Sequence, residues 1–309
     1  MDINKDNRIV VLLGAGLHRS CSVSTSDDDT QLLAAWSDLI ADRNNVFDKK
    51  IGYTLLWELN ALNQGNLALK ASERILVAQK KLTGRILELA DKSIAANWTP
   101  PIELQELLFS GLVTDIVSLN VDLVLERWLA KKIDCALPTA RNILYNGKKY
   151  GINSSRSRVF QIDNKELRFW YPHGDIAKKS SLQFSLSEYG HSVKWMERAR
   201  ANYKKQEKYG VYTSFSTWLD PILSRRRLLV LGCSLDRSEW DIWFALVCRW
   251  RNFARYRDQV WYPDSAVLTV ENYKDHLHLP WDPKLLQPLE DGNDWLKSWS
   301  LINNWMLEV

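Results

Sequence analysis

The run Arg8-Ile-Val-Val-Leu-Leu13 is apolar at every position from Ile9 and stops at Gly14-Ala15-Gly16. A strand with one face in water alternates apolar and polar residues. An unbroken apolar run bounded by glycines is instead buried on both faces, as strands are in a parallel sheet. Leu228-Leu-Val-Leu231 before Gly232 repeats the pattern, and Thr114–Ser118 and Ala266–Val270 read as further strands. Between them apolar residues fall at helical spacing. Leu32, Leu33, Trp36, Leu39 and Ile40 mark a helix over 31–43, and residues 52–92 carry two or three more. A short helix starts at Pro100-Pro101, where proline suits a first turn, and others are predicted over 122–131 and 187–208. Short strands are expected between Ile143 and Pro172, with Asn146-Gly147 as a turn signal. Ser238-Glu-Trp-Asp241 has the spacing of a capping box and opens a further helix. Strands alternating with helices predict an α/β fold, a doubly wound, mostly parallel, Rossmann-like sheet. Helical insertions fall at about 43–108 and 185–225, and no linker divides residues 1–309 into separate domains.

Composition narrows the function classes. No stretch of about 18 uncharged apolar residues occurs, so no membrane span is expected. The polar segment Met1–Arg8 lacks the shape of a secretory leader, which points to the cytoplasm. Cys21, Cys135, Cys233 and Cys248 are scattered without a C-x-x-C pair, which gives neither a disulfide framework nor zinc-ribbon spacing. Net charge is +4, and the basic stretch 194–208 includes Glu197 and Glu207. It reads as a solvated helix face, and nothing requires nucleic acid. Fifteen tryptophans, most of them in the last third, build core or an interface. Trp240, Trp243, Phe244, Val247 and Trp250 share one helical stripe, and Trp295, Trp299, Ile302 and Met306 form a second. A homo-oligomer or a regulatory protein partner is the expectation drawn from them.

Three strands end in polar or glycine-bearing loops: Gly14-Ala-Gly16, Leu119-Asn-Val-Asp122 and Gly232-Cys-Ser-Leu235. In open α/β sheets ligands bind beyond the carboxyl ends of the strands. Gly14 and Gly16 suit either close approach of backbone to a pyrophosphate or a plain tight turn. His173, in Trp170-Tyr-Pro-His-Gly-Asp175, sits where a strand gives way to a loop. Such a histidine is either a packed structural ring or a catalytic group at a loop tip.

The four motifs, in this order and rough spacing, resemble the sirtuin-like domains. The stretch from His173 through Ser181-Leu-Gln-Phe-Ser-Leu-Ser-Glu-Tyr189 is similar to the segment after the histidine in bacterial sirtuin-like proteins of antiphage defence. The resemblance spans about residues 8 to 275. It implies that Gly14, Ala15 and Gly16 cradle the phosphates of NAD and that Asn120 positions a water at the nicotinamide ribose. It further implies that Asp122 supports that pocket and that His173 is a general base toward a ribose hydroxyl or the water. Gly232 and Ser234 would contact the adenosine ribose or phosphates, and Glu271 and Asn272 would lie near the adenine.

Departures from the family select among activities. The histone-deacylating members carry a zinc module of two C-x-x-C pairs, which this chain lacks. Their Gly-Ile-Pro-Asp-Phe-Arg loop is replaced by a Ser- and Asp-rich stretch over 17–30. With the Asn and His kept and the acyl acceptor lost, the resemblance implies an NAD glycohydrolase that depletes NAD in antiphage defence, with NAD as substrate. A protein deacylase with a degenerate zinc module and a non-catalytic NAD or ADP-ribose sensor are the alternatives. Purified protein is expected to hold no stoichiometric zinc on elemental analysis; about one zinc per chain would restore the deacylase reading.

Overall fold

In a computed structural model the described residues are 8–20, 53–64, 68–142, 151, 153–208, 215–233, 235, 238–253, 265–268 and 284–285. The expected helix over 31–43, the Asn146-Gly147 turn, Ser234, Glu271, Asn272 and the stripe from Trp295 to Met306 lie outside them.

The strands are β1 (Ile9–Leu13), β2 (Val113–Ser118), β3 (Arg141–Asn142), β4 (Arg156–Ile162), β5 (Lys165–Trp170), β6 (Arg227–Leu231), β7 (Ser265–Leu268) and β8 (Lys284–Leu285). They form one sheet in the order β3-β4-β5-β2-β1-β6-β7-β8. From β5 to β8 every pairing is parallel, while β4 pairs antiparallel with both β5 and β3. Numbered among themselves, the six parallel strands run third, second, first, fourth, fifth, sixth, which is the Rossmann-like order. The strand order reverses between β1 and β6.

Helices cover both faces. On one side lie α1 (Tyr53–Gln64), α2 (Ala71–Ala95), α3 (Ile102–Phe109) and α4 (Val124–Lys132). On the other lie α5 (Leu186–Lys208), α6 (Leu219–Leu223) and α7 (Trp240–Phe253). The apolar run of β1 follows from this arrangement. Ile9, Val11 and Leu13 join the core under α2 to α4, whereas Val10 and Leu12 join the core under α5 to α7. Strand β6 divides in the same way, Leu229 and Leu231 against Leu228 and Val230. Within the two stretches expected as insertions, α1, α2 and α3, and then α5 and α6, are the helices. Trp170 and Trp218 are fully buried, each contributing roughly 4–6 kcal/mol of gross transfer free energy. On α5, Trp195, Met196, Ala199 and Tyr203 face inward while Lys194, Arg198, Lys204 and Lys205 are exposed, so the basic stretch is a solvated face. Among the described residues no helix is long and apolar enough to cross a membrane.

Several boundaries differ from expectation for local reasons. The β4–β5 hairpin turns at Asp163 and Asn164, both left-handed (φ 46 and 65), as a two-residue turn demands. Helix α4 starts at Val124, two residues late, because Leu123 is itself left-handed (φ 63) and the Asp122 carboxylate accepts the Val124 amide at 2.9 Å. Pro101 stands at the N-cap of α3 rather than inside its first turn. Asp241 does not close a capping box, since its carboxylate bonds His173 and the Ile242 amide. On α7, Asp241, Ile242, Ala245, Leu246, Arg249 and Asn252 are buried. Of the aromatic stripe Trp240 is 50 % exposed, while Trp243, Phe244 and Trp250 are half-buried against the margin of the same core.

At the reversal point the chain has no room for side chains. A Cβ on Gly14 would lie 2.6 Å from the Gly232 carbonyl oxygen and 2.7 Å from Cys233 Cα. One on Gly232, whose φ is +62, would lie 2.6 Å from the Leu17 amide. These neighbours are backbone and cannot rotate away. Gly14→Ala is therefore expected to lower stability by about 1–3 kcal/mol in urea unfolding, and a wild-type midpoint would refute this close packing.

Candidate functional site

The four motif loops meet at the carboxyl ends of the parallel strands, and each is tied to the next. Between the β1 and β6 loops, the Gly14 amide donates to the Leu231 carbonyl at 2.9 Å and the Gly16 amide to the Gly232 carbonyl at 2.8 Å. The β1 and β2 loops are joined by Asn120 Nδ2 donating to the Gly14 carbonyl at 3.3 Å and by His18 Nε2 bonding Asp122 Oδ2 at 3.0 Å. The β2 and β5 loops are joined by the Ile176 amide, which donates to the Val121 carbonyl at 2.9 Å. His173 Nε2 closes the circuit by bonding Asp241 Oδ2 of α7 at 3.2 Å.

Each described residue expected at the site thus has a place, Ser234 lying outside the described residues. Gly14 and Gly16 use their amides within the protein, and the missing side chain of Gly14 lets the β1 and β6 loops touch. Ala15 opens a 3-10 turn over Ala15–Ser20. Asn120 is 8 % exposed, with its amide nitrogen fixed and its Oδ1 without a hydrogen-bond partner among the described residues. Asp122 divides its carboxylate between His18 and the Val124 amide. Burial works against its charge, yet His18 and that amide outweigh burial and hold its pKa below the usual carboxylate range.

His173 lies in a loop locked from several directions. Gly174 is left-handed (φ +83), and a Cβ there would overlap the Ser181 carbonyl. The Gln183 amide donates to the His173 carbonyl at 3.0 Å. Asp175, fully buried, accepts from Arg156 Nε at 2.6 Å, Arg158 Nη2 at 3.0 Å and the Ala177 amide at 3.0 Å. Burial resists its charge, but the two guanidiniums keep its pKa low. The His173 ring stacks on Tyr189 with centroids 4.5 Å apart. Burial alone would lower its pKa; the Asp241 carboxylate more than compensates and raises it above the ordinary histidine value. A ring biased toward the protonated form binds negative charge or donates a proton more readily than it accepts one. No hydrogen bond joins His173 to Asn120.

Sequence reasoning missed His18, Glu126, Tyr189 and Asp241. His18 is buried with its ring 5.8 Å from that of Trp98, and Nδ1 has no partner among the described residues. On its other side Trp98 helps line a cavity of about 310 Å³ between α2 and α4, edged by Arg127, Lys131 and Lys132. Cys233 is packing rather than chemistry, because burial pushes its thiol pKa well up. Among the described residues no group of three or more His, Cys, Asp or Glu could hold a metal ion. Left-handed non-glycine backbone occurs at Leu123 and Leu235, each just past a strand end in this ring. Such conformations cost about 1–3 kcal/mol and concentrate at working sites.

Compared with known proteins, the chain matches no family model, no curated protein and no solved structure.

Glu126 gives the site a measurable pH signature. It is 3 % exposed on the first turn of α4, and burial, with the nearby Asp122 charge, raises its pKa to about 7. The unfolded chain ionises this group near 4.5. As pH rises from 4.5 to 7 the folded state therefore binds more protons, and the group's contribution to stability falls. The full loss above pH 7 is on the order of 3 kcal/mol. Glu126→Gln should remove that slope, so its stability relative to wild type should be higher at pH 8 than at pH 4.5. A wild type-minus-variant difference independent of pH in urea titrations would refute the raised pKa.

Proposed function

We propose that this chain is a sirtuin-like NAD glycohydrolase, releasing nicotinamide and ADP-ribose, and that it serves antiphage defence by depleting NAD. The observation that carries the reading is the convergence of four separated motifs into one ring of loops at the carboxyl ends of a Rossmann-like sheet. Asn120 stands in that ring with its amide nitrogen held by the Gly14 carbonyl and its oxygen buried without a hydrogen-bond partner among the described residues.

Breaking the bond from ribose C1′ to the nicotinamide nitrogen leaves positive charge on the sugar. The site must then hold a water in line and tolerate that charge, which is a matter of positioning and electrostatics. Asn120 would orient the water, and His173, fixed by Asp241, would face a ribose hydroxyl. Asp122 would hold the pocket wall, with Gly232 and Ser234 near the adenosine half. Gly14, Ala15 and Gly16 would border the pyrophosphate, with the contact of the Gly14 and Gly232 loops shaping the floor beneath it. Activity of this kind needs restraint in its own cell, and the outer face of α7, around the half-exposed Trp240, is where self-association or a protein partner would act. That helix also carries Asp241, so an event on its outer face would reach His173 directly.

Purified chain incubated with NAD is expected to release nicotinamide without any acylated peptide. Asn120→Ala and His173→Ala are each expected to lower turnover by about 10²–10⁴-fold while remaining folded by circular dichroism. Turnover that requires an acyl peptide would indicate a deacylase. Binding of NAD without turnover would indicate a sensor. Wild-type rates in either variant would refute the site.

A further inference from the structure

Two buried acceptors stand unpaired at the junction of the β1 and β2 loops. One is Asn120 Oδ1, whose amide nitrogen is already committed to the Gly14 carbonyl. The other is His18 Nδ1, four residues beyond Gly14, on a ring whose Nε2 is committed to Asp122. The His18 side chain is 2 % exposed and that of Asp122 8 %. Buried polar atoms in folded proteins nearly always have a partner, so two orphans on side chains held at the junction of the same two loops suit a shared small ligand. Neither loop alone explains the arrangement, since the His18–Asp122 bond spans 104 residues of chain.

We infer that His18 is the general base of the hydrolytic step, accepting a proton from the attacking water that Asn120 holds. The inference rests on the glycohydrolase reading and adds a catalytic residue to it. Asp122 accepts from the Nε2–H of the neutral ring, which fixes the tautomer and leaves the Nδ1 lone pair free. A water donating one hydrogen to Asn120 Oδ1 and the other to His18 Nδ1 keeps an oxygen lone pair for the sugar. In the step itself the water oxygen bonds ribose C1′ as the C1′–N bond breaks. The bonding pair leaves with nicotinamide, and the water proton passes to Nδ1 and then to solvent. Water and NAD become ADP-ribose, nicotinamide and a proton. His173 remains the group at the ribose hydroxyl, which suits a ring paired with Asp241.

The test compares steady-state nicotinamide release by wild type, His18→Ala and Asp122→Asn, each with and without added imidazole. His18→Ala should lower kcat by about 10²–10⁴-fold with little change in KM, and imidazole should restore part of that loss. Asp122→Asn keeps an oxygen for the Val124 amide but presents an N–H to Nε2. That forces the proton onto Nδ1, so kcat should fall comparably without imidazole rescue, as expected for a wrong tautomer. Should His18→Ala retain wild-type kcat, or lose it beyond rescue, His18 is not the base, and the glycohydrolase reading stands on the wild-type rate. Should wild type release no nicotinamide, that reading fails and this inference with it.

Discussion

The contact between the Gly14 and Gly232 loops sets the position of nearly everything at the carboxyl end of the sheet. Two backbones approach there within a distance that excludes any side chain, and the Gly14 carbonyl takes both the Leu17 amide and the Asn120 side chain. Because Asn120 is oriented by that carbonyl, a shift of the β1 loop would turn the amide. Because His18 follows within one 3-10 turn, the same shift would move its ring from Asp122. The constraint is steric and has no soft mode, so the loops are placed by exclusion as much as by attraction.

This contact also revises the meaning of a glycine-rich strand end. Such loops are commonly read as cradles whose amides meet a phosphate. Here the Gly14 and Gly16 amides are engaged by carbonyls of the neighbouring strand's end. The absent side chains are explained by protein meeting protein before any ligand is considered. Negative charge brought to this crevice must find other partners, and the ring of His173 is the nearest candidate in chemical terms.

Much of the fold was legible because burial on two faces writes itself into consecutive residues. Ile9 to Leu13 and Leu228 to Leu231 needed no partner to be recognised, and the solvated basic face of α5 was readable in residues 194–208. The four loops were legible for a related reason, since each pairs a strand end with residues that disfavour regular structure. What stayed hidden was pairing. His18 bonds Asp122 across 104 residues and His173 bonds Asp241 across 68, and neither separation leaves a local signal. The cap reading of Asp241 failed because a carboxylate three residues after Ser238 looks like a capping box when only its neighbours are visible. Leu123 was hidden for the opposite reason. A left-handed leucine violates local preference, so only the tertiary demand for Asp122 to face both His18 and the Val124 amide accounts for it.

The β4–β5 hairpin has a practical consequence. Its turn at Asp163 and Asn164 precedes β5, so it lies at the end of the sheet opposite the ring of loops. Asp163, Asn164, Lys165 and Glu166 are all exposed. Exposed tips of this kind accept cuts and additions readily. The chain can be opened or lengthened between Asp163 and Asn164, to carry a reporter or to join new termini, with the whole sheet standing between the alteration and the crevice.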